Sequence, residues 1–326
     1  MEAGWLTRRS WRCPVTTAAT CVLMLWLGLA LVVGAGCAPA RPSIGLVLIN
    51  LQAQFFNQIR EGAARAAAEA GIDLRVIDGN NDPARQVQAL ESLVTQRVEA
   101  ILVVAVDPAG IKPAVAAARE AGIPVLAVDA RIDVPPAHAF IGVDNRGAGV
   151  LAGRDLLRIA GEAPNGVRVG VVGAFNSLIQ NERRDGFLEV VRGASDVALV
   201  GIVDGRNVQE HALAASENLV TANPSLDFIY ATGEPALIGA IAAVESQGRA
   251  GRVQIIGWDL SPQAIRGIRQ GSVRAVIHQD AEQIGYRAVV AALTLRQGGV
   301  VPEEAFVPVT TVTRDNVEQF HGLFIR

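Results

Sequence analysis

From Ser43 onward, short continuous runs of apolar residues alternate with longer segments in which apolar residues recur every three or four positions. Runs without strict apolar–polar alternation are typical of strands that are buried on both faces. Eight runs are the clearest: 43–50, 73–78, 100–106, 123–129, 167–173, 197–204, 227–233 and 253–259. The pattern therefore predicts a series of buried β-strands separated by helices.

The segments between the runs carry helix boundary signals. Residues 55–70 end at Gly71 and residues 109–121 end at Gly122, and glycine is favoured just beyond the last turn of a helix. Pro83 follows a turn of asparagine and aspartate residues, which suits the first position of a helix. We therefore predict an α/β fold of βα units, with parallel sheets flanked by helices.

This βα pattern occurs twice, with about four units before residues 140–144 and about four after them. A chain of 326 residues in this pattern divides more naturally into two similar Rossmann-like lobes than into one long sheet. We expect a tight hinge near Val143 and Asp144. The expected lobes are an N-terminal lobe of 43–143 plus 280–308 and a C-terminal lobe of 144–279 plus 309–326.

The amino terminus has a different character. An apolar run over 21–33 follows three arginines, Arg8, Arg9 and Arg12. The run is shorter than the ~20 residues of a membrane span and has the size of a signal-peptide core. Small residues then lead to Cys37, and this arrangement resembles the lipobox of bacterial lipoproteins, although Gly34 stands where leucine is usual.

The lipobox resemblance predicts that residues 1–36 are a signal peptide, that Cys37 is lipidated and anchors the chain to a membrane, and that residues 37–42 form a tether. An ordinary signal peptide cut nearby and an uncleaved anchor are the alternatives. Each interpretation places the rest of the chain outside the cytoplasm. The other two cysteines, Cys13 and Cys21, lie in the removed segment, so no intramolecular disulfide is expected.

Composition and motifs narrow the possible functions. The net charge of −3 does not suggest nucleic-acid binding. The four histidines are scattered without metal-site spacing, so no metal site is predicted. Residues 147–152 read G-x-G-x-x-A, a weak dinucleotide fingerprint, which we interpret as small residues for close helix packing. We predict no cofactor and no enzymatic activity.

Several segments in order carry a family resemblance: Phe55-Phe56, NDP (81–83), VDPAG (106–110), VDNRGAGVLAG (143–153), ERRDGF (182–187), ATGEPALIGA (231–240), GWD (257–259) and HQDAEQIG (278–285). Over about 43–313 the chain resembles the ribose-type periplasmic sugar-binding proteins of ABC transporters and the related ligand domains of lactose-repressor-type regulators. The resemblance implies the type I periplasmic binding protein fold. It has two lobes joined by three hinge crossings, with the ligand between them at the carboxyl ends of the strands.

The resemblance also implies ligand residues. Asp129 and Asp259 each follow a strand and match acidic sugar ligands, Arg183 matches a ligand arginine, and Gln279 matches a ligand glutamine at a crossing. An aspartate after a strand is also a common turn residue, so a structural role stays open for both aspartates. Charged side chains make the stronger hydrogen bonds to hydroxyl groups, which suits a sugar.

Aromatic residues are the other half of a sugar site. Phe55 and Phe56 match a pair of which one or both stack on the sugar, with a core contact as the alternative. Trp258 is the only tryptophan after residue 36. Alternation along a strand points it away from Asp259, so we predict that it packs beneath the site.

Departures from the ribose-type pattern indicate a different ligand. An arginine of that pattern is replaced by Ala130, an asparagine and an aspartate by Gly233 and Glu234, and an aromatic by Asn207. Ala53 also replaces a polar residue, which leaves Gln52 and Asn50 as substitutes. We therefore include Asn50, Asn207 and Glu234 among the candidate ligand residues and expect a hexose, a sugar alcohol or a modified sugar.

The predicted function is delivery of a sugar or polyol to an ABC transporter permease by a monomeric, membrane-tethered binding protein. A receptor for a sensor kinase or chemoreceptor would read the same closed state and stays open. A repressor-type regulator would need an N-terminal helix-turn-helix, where this chain has a secretion signal. A sugar dehydrogenase would need a stronger cofactor motif.

Overall fold

The structure is a computed structural model, and it describes residues 41–132, 138–161 and 166–324. The predicted signal peptide and Cys37 lie outside the described residues. Within the described ranges, no helix has the length and apolar character needed to cross a membrane.

Twelve strands form in the described part of the chain. They are β1 (Ser43–Leu48), β2 (Asp73–Asp78), β3 (Ala100–Val103), β4 (Val125–Val128), β5 (Ala139–Gly142), β6 (Val167–Gly173), β7 (Val197–Asp204), β8 (Phe228–Ala231), β9 (Gln254–Trp258), β10 (Val273–Gln279), β11 (Glu304–Phe306) and β12 (Val309–Val312). Each of the eight apolar runs contains one strand, as predicted. The central strands β1, β3, β4 and β8 are buried at every residue, which explains their continuous apolar sequence.

The α-helices of the described ranges lie between these strands. They are α1 (Gln54–Glu69), α2 (Pro83–Thr95), α3 (Lys112–Glu120), α4 (Asn145–Ala160), α5 (Leu178–Val191), α6 (Gln209–Ala222), α7 (Glu234–Ser246), α8 (Pro262–Gln270) and α9 (Ala281–Arg296). A 3₁₀ helix, Val317–Phe324, follows the last strand. The proline signal is confirmed, since Pro83 opens α2 and Asp82 caps it by accepting from the Ala84 N–H.

The strands form two six-stranded sheets with equivalent orders. The N-terminal sheet has the order β11-β5-β4-β3-β1-β2, and the C-terminal sheet has the order β12-β10-β9-β8-β6-β7. The prediction of two α/β lobes is confirmed. One pair departs from the parallel pattern, because β12, which reaches the C-terminal sheet from β11 of the other sheet, runs antiparallel to β10.

The chain passes between the two sheets three times. The passages lie between β5 and α4, between β10 and α9, and between β11 and β12. Asp144 caps α4 at the first passage and Asp280 caps α9 at the second, each accepting a backbone N–H. Each capped helix packs on the lobe it enters, α4 against α5 and α9 against α1.

Glycines make both helix pairs close. A Cβ on Gly149 of α4 would lie 2.2 Å from the Arg183 carbonyl oxygen, and one on Gly186 of α5 would lie 2.1 Å from the Arg146 carbonyl oxygen. Gly62 of α1 would meet the backbone of α9 in the same way. Gly149 of the G-x-G-x-x-A segment therefore serves helix packing, as predicted, and its contact is with the backbone of Arg183.

Candidate functional site

Polar side chains lie at the carboxyl ends of β4 in the N-terminal sheet and of the neighbouring strands β9 and β10 in the C-terminal sheet. Asp129 directly follows β4, Asp259 directly follows β9, and Gln279 is the last residue of β10. The Asp129 N–H donates to the Ile141 carbonyl and the Asp259 N–H to the Ile277 carbonyl. The carboxyl ends of parallel strands are where open α/β sheets bind ligands.

Asp129 and Asp259 share an unusual backbone conformation. Both have φ of 61°, in the left-handed region that non-glycine residues rarely adopt. Aspartate tolerates this region better than most residues do, and strained backbone of this kind is frequent at binding sites. The equivalent conformation at equivalent strand ends makes the two aspartates a structural pair across the lobes.

Arg183 of the C-terminal lobe is the central cation of the candidate site and is only 4 % exposed. Its Nε donates to Asn145 Oδ1 at 2.9 Å and its Nη1 to the Thr232 carbonyl at 3.4 Å. The same Nη1 lies 3.7 Å from an Asp259 carboxylate oxygen. Burial lowers the pKa of Arg183, and the carboxylates of Asp259 and Asp129 oppose that shift. The guanidinium is therefore held in one orientation by residues of three different elements.

An aromatic layer supports this arginine from below. The guanidinium carbon lies 3.6 Å from the centre of the Trp258 ring, within the range of a cation–π contact. The buried Trp258 Nε1 donates to the Tyr230 hydroxyl at 2.8 Å, and Tyr230 donates to the Arg183 carbonyl at 3.3 Å. Phe187 stacks on Tyr230 at 3.9 Å. The prediction that Trp258 packs beneath the site is confirmed.

Gln279 links to Asp259 at the second passage between the lobes. Its Nε2 donates to Asp259 Oδ1 at 2.9 Å, and the residue is only 3 % exposed. Its Oε1 is buried and has no hydrogen-bond partner among the residues that the structure describes. A buried acceptor without a partner costs about 1–3 kcal/mol, so this oxygen is suited to a ligand donor.

Asp129 of the N-terminal lobe interacts electrostatically with Arg183 and Asp259. Burial raises the pKa of Asp129 to about 6, with a further contribution from the Asp259 carboxylate, while the Arg183 guanidinium acts in the opposite direction. Asp129, Arg183 and Asp259 therefore interact electrostatically across the lobes. No side-chain hydrogen bond of Asp129 forms within the described ranges, which leaves its carboxylate oxygens available.

Phe55 and Phe56 begin α1 in an edge-to-face pair, with ring centres 5.5 Å apart. Both pack partly on the hydrophobic core. Phe55 also lines a cleft together with residues of the C-terminal lobe: Glu234, Asp259, Leu260, His278, Gln279 and Phe324. Residues of both lobes therefore line one cleft.

Glu234 is the first residue of α7 and makes no salt bridge or hydrogen bond within the described ranges. Although Glu234 is exposed, partial desolvation of its carboxylate and the neighbouring Asp259 carboxylate raise the pKa of Glu234 to about 7. Glu234 therefore joins the predicted group of Asp259, Gln279 and Phe55 around one cleft. The helix dipole normally stabilises the charged form of an acidic group in the first turn. At Glu234, desolvation and repulsion from Asp259 outweigh that stabilisation.

Asn50 and Asn207 have structural partners. Asn50 Oδ1 accepts the N–H groups of Gln52 and Ala53, and its Nδ2 donates to Asn81. Asn207 Oδ1 accepts from Gln180 Nε2 at 2.6 Å. No described contact joins either asparagine directly to Arg183, and their ligand roles stay predictions.

Gln180, which fills space left by a glycine, was not predicted from the sequence. A Cβ on Gly233 would lie 2.8 Å from the Gln180 amide, and Thr232 Oγ1 donates to Gln180 Oε1 at 2.8 Å. Gly233, already noted as a departure, was the available signal. Asn145 was not predicted either, because its contact with Arg183 joins residues 38 positions apart.

The C-terminal segment is another unpredicted part of the cleft. Phe324 lines it, and Gln54 of α1 donates to the Leu323 carbonyl at 3.2 Å. This bond connects the end of the chain, which follows the C-terminal sheet, to the first helix of the N-terminal lobe. No group of acidic, histidine or cysteine side chains suited to a metal ion occurs among the described residues.

Comparisons with known proteins agree with this geometry. A family model described as a periplasmic binding protein domain matches residues 44–299. The ribose import binding protein of Escherichia coli is 28 % identical over 284 residues, covering 85 % of this chain and 92 % of that protein. The D-ribose/D-allose-binding protein of Pseudomonas aeruginosa is 27 % identical over 271 residues, covering 80 % and 84 %.

A crystal structure of similar fold is that of an ABC transporter periplasmic solute binding protein from Actinobacillus succinogenes with bound D-allose. It has 27 % identity and a TM-score of 0.78, covering 86 % of this chain and all of that one. The family match extends over most of the chain and includes both sheets up to α9. This chain belongs to the periplasmic binding protein family.

Proposed function

We propose that the protein captures a sugar or sugar-like polyol between its two lobes and delivers it to the permease of an ABC transporter. The observation that carries the proposal is the cleft in which Phe55 of the N-terminal lobe faces Asp259 and Gln279 of the C-terminal lobe. An aromatic ring covers the C–H face of a sugar, and carboxylate and amide groups bind its hydroxyls. The sugars named for the related proteins support the same ligand class.

The ligand is proposed to stabilise the closed arrangement of the lobes. Asp129 and Phe55 would approach it from one side, and Arg183, Asp259 and Gln279 from the other. A ligand shifts an open–closed equilibrium only by its differential affinity for the closed state. Contacts from both lobes supply that difference, and a permease can then recognise the closed form. The proposal includes no chemical change of the ligand.

The direct test is a thermal unfolding screen of the full-length protein in detergent against pentoses, hexoses and polyols. A ligand at 100 times its dissociation constant adds about 2.7 kcal/mol of stability. We expect at least one sugar to raise the midpoint and to be recovered unchanged. No shift across the panel, or conversion of the bound sugar, would contradict the proposal.

We also propose that the moving units are 43–143 plus 280–308 and 144–279 plus 309–326. The membership of the strands in the two sheets supports this division. Small-angle X-ray scattering with the sugar identified by the screen is expected to show a smaller radius of gyration than the free protein. An unchanged radius would argue against closure about these boundaries.

The cellular form proposed here is a monomer, tethered outside the cytoplasm through a lipidated Cys37. The signal-peptide pattern before Cys37 supports this tether. Cys37→Ser is expected to move the protein from the membrane fraction to the soluble fraction. Continued membrane association of that variant would favour an uncleaved anchor instead.

A further inference from the structure

The charge of the cleft is out of balance. Two carboxylates line it, those of Asp259 and Glu234, and behind them Asp259 interacts with the Asp129 carboxylate and with the buried Arg183 cation. Arg183 lies near Asp259 and interacts with Asp129. Glu234 forms no salt bridge among the described residues, and the charge that acts on it most strongly is the like charge of Asp259.

Nearby basic side chains do not correct this imbalance. Arg131, one position after the alanine that replaces a family arginine, pairs with Glu304 and lies over the Phe140 ring. Arg184 pairs with Asp185. His278 lines the cleft, but burial lowers its pKa, which favours its neutral form.

A second observation points to a missing donor at the same place. Gln279 lines the cleft beside Glu234 and Asp259, is 3 % exposed, and has a buried Oε1 without a partner among the described residues. The cleft is thus lined by two carboxylates, which are acceptors, and by a glutamine whose buried amide oxygen is an unused acceptor. An ammonium group supplies three N–H donors and one positive charge, whereas a hydroxyl supplies one donor and no charge.

We propose that the ligand is a cationic polyol, an amino sugar or aminocyclitol, whose ammonium group binds between Glu234 and Asp259. This inference rests on the proposed function, because it names the ligand class of the same cleft. An ammonium ion relieves the repulsion between the two carboxylates and makes charge-assisted hydrogen bonds. A metal ion suits the place less well, since no metal-binding cluster occurs in the described ranges.

The test compares neutral and aminated members of matched pairs on the full-length protein by calorimetry at pH 7: glucose with glucosamine, galactose with galactosamine, and inositol with an aminocyclitol. We expect one aminated member to bind at least about tenfold more tightly than its neutral counterpart, a difference of about 1.4 kcal/mol. In Glu234→Gln this ratio is expected to fall to about twofold or less.

Glu245→Gln is the matched control, since Glu245 is exposed on the same helix three turns away, and it should keep the full ratio. Equal or tighter binding of the neutral members would overturn the inference and leave the proposed function intact, as would a ratio in Glu234→Gln that matches the wild type. No binding by either series, with no shift in the wider sugar screen, would overturn the proposed function as well.

Discussion

Asp129 and Asp259 occupy equivalent positions in the two lobes but have different surroundings. Each follows the fourth strand of its lobe in the left-handed conformation, with its N–H bonded to the adjacent strand. Asp259 accepts a hydrogen bond from Gln279 and lies 3.7 Å from Arg183. The Asp129 side chain has no such partner in the described ranges, and its pKa is raised.

The difference indicates that the C-terminal lobe holds the more completely assembled half of the site. Asn145 and Thr232 fix Arg183, and the aromatic layer of Trp258 and Tyr230 supports it. The N-terminal lobe offers a carboxylate with free acceptor capacity and a phenylalanine pair. A ligand would therefore meet a preorganised surface on one lobe and gain further contacts when the other lobe closes.

Alanine at the two aspartates tests this comparison most directly. Asp259→Ala leaves the buried Arg183 without its carboxylate and is expected to cost about 3 kcal/mol of stability. Asp129→Ala removes a group whose charged form the fold disfavours, so we expect a change within about 1 kcal/mol. Both variants should weaken binding of the sugar at least about tenfold. Urea unfolding and calorimetry give the two quantities.

Equal stability losses in the two aspartate variants would remove the proposed asymmetry between the lobes. Asp144→Ala is a useful comparison, because Asp144 caps α4 and accepts the Gly147 N–H without facing this charge group. It should lose about 1 kcal/mol with little change in affinity.

Alanine substitutions at two glycines, Gly149 in the C-terminal lobe and Gly62 in the N-terminal lobe, compare the lobes through their helix packing. A Cβ on Gly149 would lie 2.2 Å from the Arg183 carbonyl, and one on Gly62 would lie 1.7 Å from the Glu282 carbonyl. Each Gly→Ala change overpacks a helix pair, so we expect about 2 kcal/mol of destabilisation in both. Only Gly149→Ala displaces Arg183, and we expect it to weaken sugar binding about tenfold while Gly62→Ala changes affinity less than about threefold.

Calorimetry of the two glycine variants at a temperature where both remain folded measures this split. If Gly62→Ala lost as much affinity as Gly149→Ala, the placement of Arg183 by α4 would not be the controlling contact. The stability loss alone would not distinguish the lobes, since an added methyl group would clash with a backbone carbonyl in both helix pairs.

The sequence predicted the strands and lobes well because apolar runs and helix caps are local signals. β1, whose six residues are all buried, appears as an unbroken run. β5, Ala139–Gly142, was recognised only as a dividing stretch because its apolar run is short and leads directly into the predicted hinge at Val143 and Asp144. The antiparallel direction of β12 and the return of Phe324 to the cleft depend on tertiary packing, which no local pattern encodes.

The candidate site was predictable where residues follow strands. Asp129, Asp259 and Gln279 could be placed by their strand ends alone. Gln180 and Asn145 could not be placed in this way, because each depends on a residue that is distant in sequence. Gln180 fills the space beside Gly233, and Asn145 accepts a hydrogen bond from Arg183. The charge balance of the cleft could not be predicted either, because it depends on the salt bridge that Arg131 forms with Glu304.

The smallest expected effect is a pH dependence that separates the lobes. The pKa of Asp129 is raised to about 6 and that of Glu234 to about 7, so the folded state holds more protons than the unfolded state between the unfolded and folded pKa values. Stability contributed by these groups is therefore present at low pH and is lost as pH rises through this window. Because solvent screens both groups partly, we expect a loss of about 1 kcal/mol for each.

Urea unfolding of the ligand-free protein at several pH values between 4 and 8 measures this loss as a difference from the amide variants. Asp129→Asn should gain stability over the wild type mainly as pH rises to about 6, and Glu234→Gln as it rises to about 7. Taking the difference cancels the opposite effect of His278, whose pKa burial lowers, while Arg183 and Asp259 face both groups unchanged. A variant curve parallel to the wild type would show that the corresponding carboxylate is not disfavoured by the fold, and for Glu234 it would also remove the electrostatic reason for binding a cation there.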